Sequence, residues 1–547
     1  MRDRLKLVWS GLLLTVLMTF SCSKKEQETV VLDFDNYTHY FEDFNENDNE
    51  LYKQFVSNDS VIPFLKANIP LLEIPDSSIQ RTYYFRWWTF RKHIKETPRG
   101  FVITEFLPNV PWAGKHNTIN CPAAYHIYEG RWLKNNAFVK DYVDYWLTEA
   151  ENTRRYSFWI ANASLAFSKV HKDEVYIQKH LPNLVENYQG WEDERRDAPD
   201  RLFWQDDNLD GMEFSSGGRV IDEGVDVWST LAARPTINSY MYGDAKAIAE
   251  LASNFGNDSL SASYQTKAAQ IKDLVQNRLW NDSLEFFTIL PRGYSEEDKP
   301  VAIRELIGYT PWYFNLPDDN PIYAKAWEKV LDTTAFLAPY GLTTCEQSHP
   351  YFQIKYEGHE CQWNGPSWPF ATTQTLKSLS NFLNNYEYNG SLDKSAYHRL
   401  LKQYAEAHKM TWENGETQMW IDENLNPYTG DWISRTRLKT WDNGTWSAEK
   451  GGKERGKDYN HSGFCDLVIN DLIGFKPQWD GSIVVEPLVP EDWDWFCLDN
   501  VDYQGKKLTI LWDRTGTKFQ KGEGFKIFYD GTMVHQGADV SKVNIKI

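Results

Sequence analysis

The sequence predicts a mainly α protein closed by a small C-terminal β-domain. From about residue 77 to 475, apolar side chains recur at helical spacing between long loops rich in Gly, Pro and aromatic residues; after Phe475 the pattern switches to period two. Nothing resembles the alternation of strands and helices that builds a Rossmann sheet or a triose-isomerase barrel.

The helical reading is clearest in "SYQTKAAQIKDLVQNRLW", where Tyr264, Ala268, Ile271, Val275 and Leu279 fall on one face. Comparable segments are expected at 77–95, 123–149, 156–170, 175–189, 237–254, 319–332, 366–386, 393–410 and 461–473, so the total approaches a dozen. Between 195 and 236 more than 40 residues lack helical periodicity, as expected of a loop that binds or catalyses. Beyond Phe475, "GSIVVEPL", "LTILWD", "GFKIFYDGTMVHQG" and "KVNIKI" alternate apolar and polar residues, and "YDGT" is a hairpin turn. The expected organisation is a leader over 1–21, a tether and packing segment over 22–75, a helical domain over 76–475 and a β-sandwich-like domain over 476–547.

Composition narrows the partners. The 547 residues are 41% hydrophobic and 25% charged, enough for a large core. A net charge of −19 disfavours nucleic acid and anionic membrane surfaces. The 24 Trp, 30 Tyr and 29 Phe suit a core, and also suit a cleft that stacks flat rings on the C–H faces of a sugar. A neutral or weakly charged glycan fits best, bound by a monomer.

The first residues, "MRDRLKLVWSGLLLTVLMTFSC", have basic Arg2, Arg4 and Lys6, an apolar run to Phe20, and Ser21-Cys22. This resembles a bacterial lipoprotein signal, which implies cleavage before Cys22, a lipid on its thiol, and a place in the cell envelope, anchored to the outer membrane. The other five cysteines are odd in number, so at least one is free; Cys345 and Cys361 are the pair left open.

Serine-hydrolase, zinc-peptidase and nucleotide signatures are absent from the sequence. "DDNLDG" at 206–211 matches the front of a calcium loop, but Gly217 stands where the bidentate Glu belongs, so no metal or other cofactor is predicted. Three stretches on successive non-helical segments point elsewhere: "GMEFSS" (211–216), "QWNGPSWPF" (362–370) and "DENLNPYTG" (422–430). Each resembles a signature of the (α/α)6-barrel glycosidases related to trehalase, glycoside hydrolase family 63 and mannosylglycerate hydrolase, and "PYGLTTCEQSHPYF" (339–352) is similar to the segment that precedes their W-x-G-P-x-W.

The resemblance implies an (α/α)6 toroid with Glu213 as general acid, where those families usually show Asp, and Glu423 as general base. Asp210 is the alternative acid. Two carboxyls are needed because one protonates the leaving oxygen while the other activates water across the sugar. Met212 and Phe214 would raise the acid's pKa, and Gly211, Gly217 and Gly218 would permit the backbone turns. Trp363 is expected in the pocket wall and Trp368 in the core. Further candidates for sugar contact are Trp112, His116, Asn117, His126, Arg234, Asn238, Gln362 and His461. The function implied is an inverting, exo-acting glycoside hydrolase. Its rivals are a lipoprotein that only binds glycans, and a lyase on a similar helical toroid.

Overall fold

The structure, a computed structural model, describes residues 30–356, 359, 361–435, 451–452 and 454–547. The leader and Cys22 lie outside the described residues.

Twelve segments pair as six hairpins around a common axis. The inner ring comprises Ala123–Gly130, Ile160–His171, Pro235–Asn254, Thr310–Tyr313, Pro369–Asn385 and the π-helical Leu467–Leu472. The outer ring comprises Ser77–Lys92, Ala137–Thr148, Glu174–Arg195, Asp258–Arg278, the short turns of Pro321–Lys329, and Lys394–Glu406. Burial follows this division: every residue of Ala123–Gly130 and Leu467–Leu472 is buried, whereas Asp258–Arg278 buries only the stripe read from sequence, with Ser261 added. Ser77–Lys92 is the exception in the outer ring, because Thr38–Glu46 packs over it.

Several helix boundaries differ from expectation for visible reasons. The 123–149 segment breaks after Gly130, where a Cβ would stand 2.6 Å from Val139 Cγ2; the missing side chain lets the two halves fold together as a hairpin. Helix 366–386 starts instead at Pro369, a first-turn proline that has no N–H to leave unpaired. In 319–332, only Pro321–Ala324 and a 3-10 turn over Lys325–Lys329 form; tertiary packing prevails there, with Trp327 stacked 5.0 Å from Phe382. The region 195–236 carries two short strands, Trp204–Asp206 and Leu231–Ala233, and one short helix, Ser216–Ile221.

Closing the ring requires the first inner helix to meet the last. Glu129 does this with its carboxyl, which accepts the backbone N–H groups of Phe464, Cys465 (3.1 Å) and Asp466 (3.4 Å). Beside it, Arg131 Nη2 and Trp132 Nε1 donate to Asp466 Oδ1 at 2.7 and 2.8 Å.

The C-terminal domain has two antiparallel sheets. One runs Leu71–Glu73, Trp495–Tyr503, Lys506–Asp513, Gly524–Tyr529, Thr532–Gly537, and the other Phe475–Pro477, Ile483–Val485, Val543–Ile545. Asp530 and Gly531, both with positive φ (51° and 76°), make the predicted hairpin turn. The edge strand Leu71–Glu73 comes from the N-terminal segment and pairs with Cys497–Asp499, while Asp499 accepts the N–H groups of Val31 and Leu32 at 2.7 and 2.8 Å. All five described cysteines are free, so Cys345 and Cys361 do not pair.

Truncating the ring clasp tests its contribution. Glu129→Ala should leave three buried N–H groups without an acceptor and lower stability by about 2–4 kcal/mol, read from the denaturant midpoint. Glu129→Gln, which keeps an acceptor oxygen, should cost less.

Candidate active site

A cavity of about 260 Å3 opens where the chain enters the inner helices. Glu105, Trp112 and Cys121 reach it from the segment before Ala123–Gly130, Tyr156 from the one before Ile160–His171, and Glu213 and Trp228 from 207–230. Trp363, Trp368, Glu423, Arg455, Tyr459 and His461 complete the wall from the segments before the last two inner helices.

The Glu213 loop is fixed from beneath by three buried carboxylates. Asp207 accepts Ser215 Oγ at 2.9 Å and the Thr230 N–H at 2.7 Å. Asp210 pairs with Arg234 Nε at 2.8 Å and also accepts the Thr236 hydroxyl. Glu305 takes the N–H groups of Ser216 and Gly217 at the start of the short helix. These partners explain the glycines. Gly217 and Gly218 lack positive φ; a Cβ on Gly217 would collide with Glu305 and one on Gly218 would stand 2.7 Å from Asp207. They are there to admit carboxylates, not to bend the backbone. Gly211, at φ +76°, is the true turn residue, and Phe214 also adopts a left-handed φ of +56° just after Glu213.

Backbone bonds tie the three motif segments together. The Trp363 N–H donates to the Glu213 carbonyl at 3.1 Å, and Ser367 and Leu425 exchange a reciprocal pair at 2.9 and 3.0 Å. Below them Thr344 Oγ1 donates to the Pro366 carbonyl and accepts the Gly365 N–H, at 3.0 and 3.1 Å. Gly365 has no room for a side chain because the Gln353 carbonyl lies against it. On the base loop, Asp422 Oδ1 accepts the Glu423 N–H at 2.9 Å, Asn426 caps Tyr428, and Gly430 turns the chain at φ +78°.

Among the described residues, three carboxyls line the cavity together with the buried Arg455 and the exposed Arg155. Burial, with the fields of Asp207 and Glu105 added, pushes Glu213 up to about 8. Glu213 keeps partial exposure only through the cavity and is enclosed by protein elsewhere. Burial pushes Glu105 up to about 8 as well, against a hydrogen bond from the Tyr459 hydroxyl. Glu423, 1% exposed, is driven above the usual carboxylate range by burial and then by Asp422, Glu105 and Glu213. Acting against that shift, Arg455 Nε stands 3.8 Å from Glu423 Oε1, and the Cys361 thiol lies 3.6 Å from Oε2. Burial lowers Arg455 only to about 10, so it remains a cation at neutral pH.

Of the residues expected at the site, Glu213, Glu423, Trp112, Trp363 and His461 line the cavity. Trp368, expected in the core, lines it too, stacked on Trp363 at 4.4 Å and 17°. Asp210 and Arg234 do not: they are paired with each other below the loop. Asn117 spends its amide on the carbonyls of Phe106 and Pro108 and on the Val110 N–H, and Asn238 on Phe203 and the Arg234 carbonyl. His126 bonds Tyr142 and the Asn460 carbonyl, and His116 packs against Tyr145 outside the cavity. Gln362 supplies its carbonyl to Trp368 Nε1 at 2.9 Å and is not in the lining. Of the "DDNLDG" stretch, Asp206 accepts Ser229 Oγ and Asp207 and Asp210 are bonded as above, while Asn208 and Gly211 line the cavity.

Sequence reasoning missed Glu105, Tyr156, Trp228, Cys361, Arg455 and Tyr459. Only Glu105 carries a signal, a lone carboxylate inside the apolar run "FVITEFL"; Arg455 and Tyr459 sit in a charged, glycine-rich segment without pattern.

Comparison with known proteins agrees with this architecture. The model of the mannosylglycerate hydrolase MGH1-like glycoside hydrolase domain matches residues 115–462, and that of the glycosyl hydrolase family 65 C-terminal domain matches 476–535. A solved structure named Sialidase is 37% identical, with a TM-score of 0.84 over 94% of this chain; the chain spans 45% of that protein's length. The α-L-rhamnosidase of Dictyoglumus thermophilum is 11% identical with a TM-score of 0.51, over 88% of this chain and 49% of that one, a likeness of fold. The GH63 mannosylglycerate hydrolase of Thermus thermophilus is 11% identical, over 65% of this chain and 98% of that one, with a TM-score of 0.47. A family match over well more than half its length, on a helical barrel with a β-domain behind it, identifies the chain as a member of the mannosylglycerate hydrolase MGH1-like glycoside hydrolase family.

Proposed function

We propose that this chain is an inverting, exo-acting glycosidase that releases a terminal neutral sugar from plant or host glycans, with Glu213 as general acid and Glu423 as general base. The observation that carries the reading is the pair of carboxyls on separate loops, Glu423 buried and Glu213 partly exposed, that line one small aromatic-walled cavity. A hollow of about 260 Å3 suits one sugar ring better than a long chain, which favours removal of a terminal residue. In the reaction, Glu213 gives its proton to the glycosidic oxygen as the C–O bond breaks. Glu423 takes a proton from the water that attacks the anomeric carbon from the opposite face.

Charge balance supports these roles. Three neighbouring carboxyls titrate as a set, and the buried Arg455 compensates one negative charge. With Glu213 and Glu105 protonated below about pH 8, their repulsion on Glu423 vanishes, and Arg455 and the Cys361 thiol favour its ionised form. The leader adds a proposal of place: a lipid on Cys22 would hold the enzyme in the bacterial cell envelope, where oligosaccharides arrive from outside.

The first test is a panel of aryl glycosides and plant oligosaccharides, with proton NMR of the first-formed anomer of the released sugar. Inversion is expected; retention would remove Glu423 as a base. Glu423→Gln and Glu213→Gln should each lower kcat on an unactivated glycoside about 10²–10⁴-fold. On the glycosyl fluoride, whose leaving group needs no proton, Glu213→Gln should recover most of the activity while Glu423→Gln does not. Both variants fully active on the glycoside would defeat the enzymatic reading.

The acid must be protonated, so kcat/KM in the wild type should fall as pH rises through about 8. The same shift fixes a stability effect. A carboxyl with a raised folded-state pKa binds its proton more tightly folded than unfolded, so between the ordinary glutamate value and about 8 stability declines with rising pH. Glu213→Gln removes that decline, and its melting temperature should exceed the wild type's by roughly 1–3 °C at pH 8, with little difference at pH 4.

A further inference from the structure

Acid and base chemistry leaves Glu105 and His461 in the cavity without a task. Glu105 follows the strand Gly100–Ile103 and is 6% exposed. Its Oε1 accepts the Tyr459 hydroxyl, and its Oε2 takes no hydrogen bond from the described residues. His461 is 3% exposed and lines the same wall; neither ring nitrogen has a hydrogen-bond partner among the described residues.

The two are held side by side by backbone. The Asn460 N–H donates to the Glu105 carbonyl at 3.1 Å, and Asn460 Nδ2 donates to the Thr104 carbonyl at 3.3 Å. The 104–105 and 459–461 stretches therefore run together, and the Tyr459 and His461 rings lie 3.9 Å apart. Behind them Arg86 Nη2 bonds the Ser462 carbonyl at 2.6 Å, fixing the turn that follows.

Buried polar groups without partners are rare because each forfeits its hydrogen bonds to water. They persist where a ligand supplies what is missing. An unengaged carboxyl oxygen accepts from a hydroxyl, and a neutral imidazole both donates and accepts. Burial and the Arg86 charge keep His461 neutral. Facing a hollow whose other walls are Trp363, Trp368 and Phe370, this pair has the chemistry of a diol receptor.

We propose that Glu105 and His461 are the specificity-determining residues of the cavity, reading neighbouring hydroxyls of the terminal sugar, with Tyr459 as the positioning residue that aims Glu105. This rests on the reading of the cavity as the sugar site. It deepens that reading by naming the feature that is read: a pair of neighbouring hydroxyls at the positions these two residues face.

The test is calorimetric titration of the full chain with free D-glucose, D-mannose, D-galactose, L-rhamnose, L-arabinose, D-glucuronate and N-acetylneuraminate, with the monodeoxy derivatives of whichever sugar binds. One or more of the neutral sugars should bind. Glu105→Ala and His461→Ala should each weaken binding at least tenfold, with melting temperatures checked for folding; Glu105→Gln, which keeps the shape and the Tyr459 contact, should fall between. Removing one particular hydroxyl should weaken binding to the wild type and have no further effect in Glu105→Ala. The proposal is overturned if Glu105→Ala binds as the wild type does, if its loss is the same for every deoxy derivative, or if no sugar binds at millimolar concentration. Glu213→Gln and Glu423→Gln are titrated in parallel: binding intact with turnover intact would sink the catalytic roles and leave the hydroxyl-reading pair standing.

Discussion

The site depends on three backbone hydrogen bonds that join segments remote in sequence: Trp363 to Glu213, and the reciprocal pair between Ser367 and Leu425. Each contributes only about 1 kcal/mol net. Their importance is geometric, since they make the 362–368 segment a bridge whose two ends carry the loops of Glu213 and Glu423. A carboxyl displaced by an ångström from its productive position loses much of its effect on a proton transfer. The helical ring is the frame that keeps this bridge from relaxing, which is why the clasp at Glu129 and the ion pair beneath Glu213 matter to the chemistry although neither touches the cavity.

The second constraint is electrostatic. Enclosing Glu105, Glu213 and Glu423 together disfavours their ionised forms, and Arg455 offsets only part of the penalty. Protein interiors seldom hold such clusters without a function, because hydrophobic replacements of equal volume pack as well at lower cost. The cluster is kept intact by a surround that is itself crowded with charge: Asp207, Asp210, Arg234 and Glu305 sit under one loop, and Asp422 under the other. Each of those has a hydrogen-bond partner, although Asp210 Oδ1 and Arg234 Nη1 have none among the described residues.

The legible parts of the sequence were those governed by local rules. Helical spacing found the Asp258–Arg278 stripe, alternation found most of the C-terminal strands, and Asp530-Gly531 announced its turn. Trp495–Tyr503 escaped because it is buried on both faces over much of its length and so does not alternate. The motif islands carried Glu213 and Glu423 because their loops need fixed spacings of Gly, Pro and Trp. Asn117, Asn238, Arg234 and His126 were misread for one reason: a polar residue beside aromatics looks the same in sequence whether it greets a sugar or satisfies a buried carbonyl. Arg455 and Tyr459 were invisible because the fold, and not their neighbours in the chain, brings them to the cavity.

The edge strand Leu71–Glu73 carries a consequence for biosynthesis. Its partners, Cys497–Asp499, are translated more than 400 residues later. Until they leave the ribosome, that strand has an open edge and the apolar residues beside it have no cover. A nascent chain arrested before Trp495 therefore carries an unpaired strand for chaperones to guard.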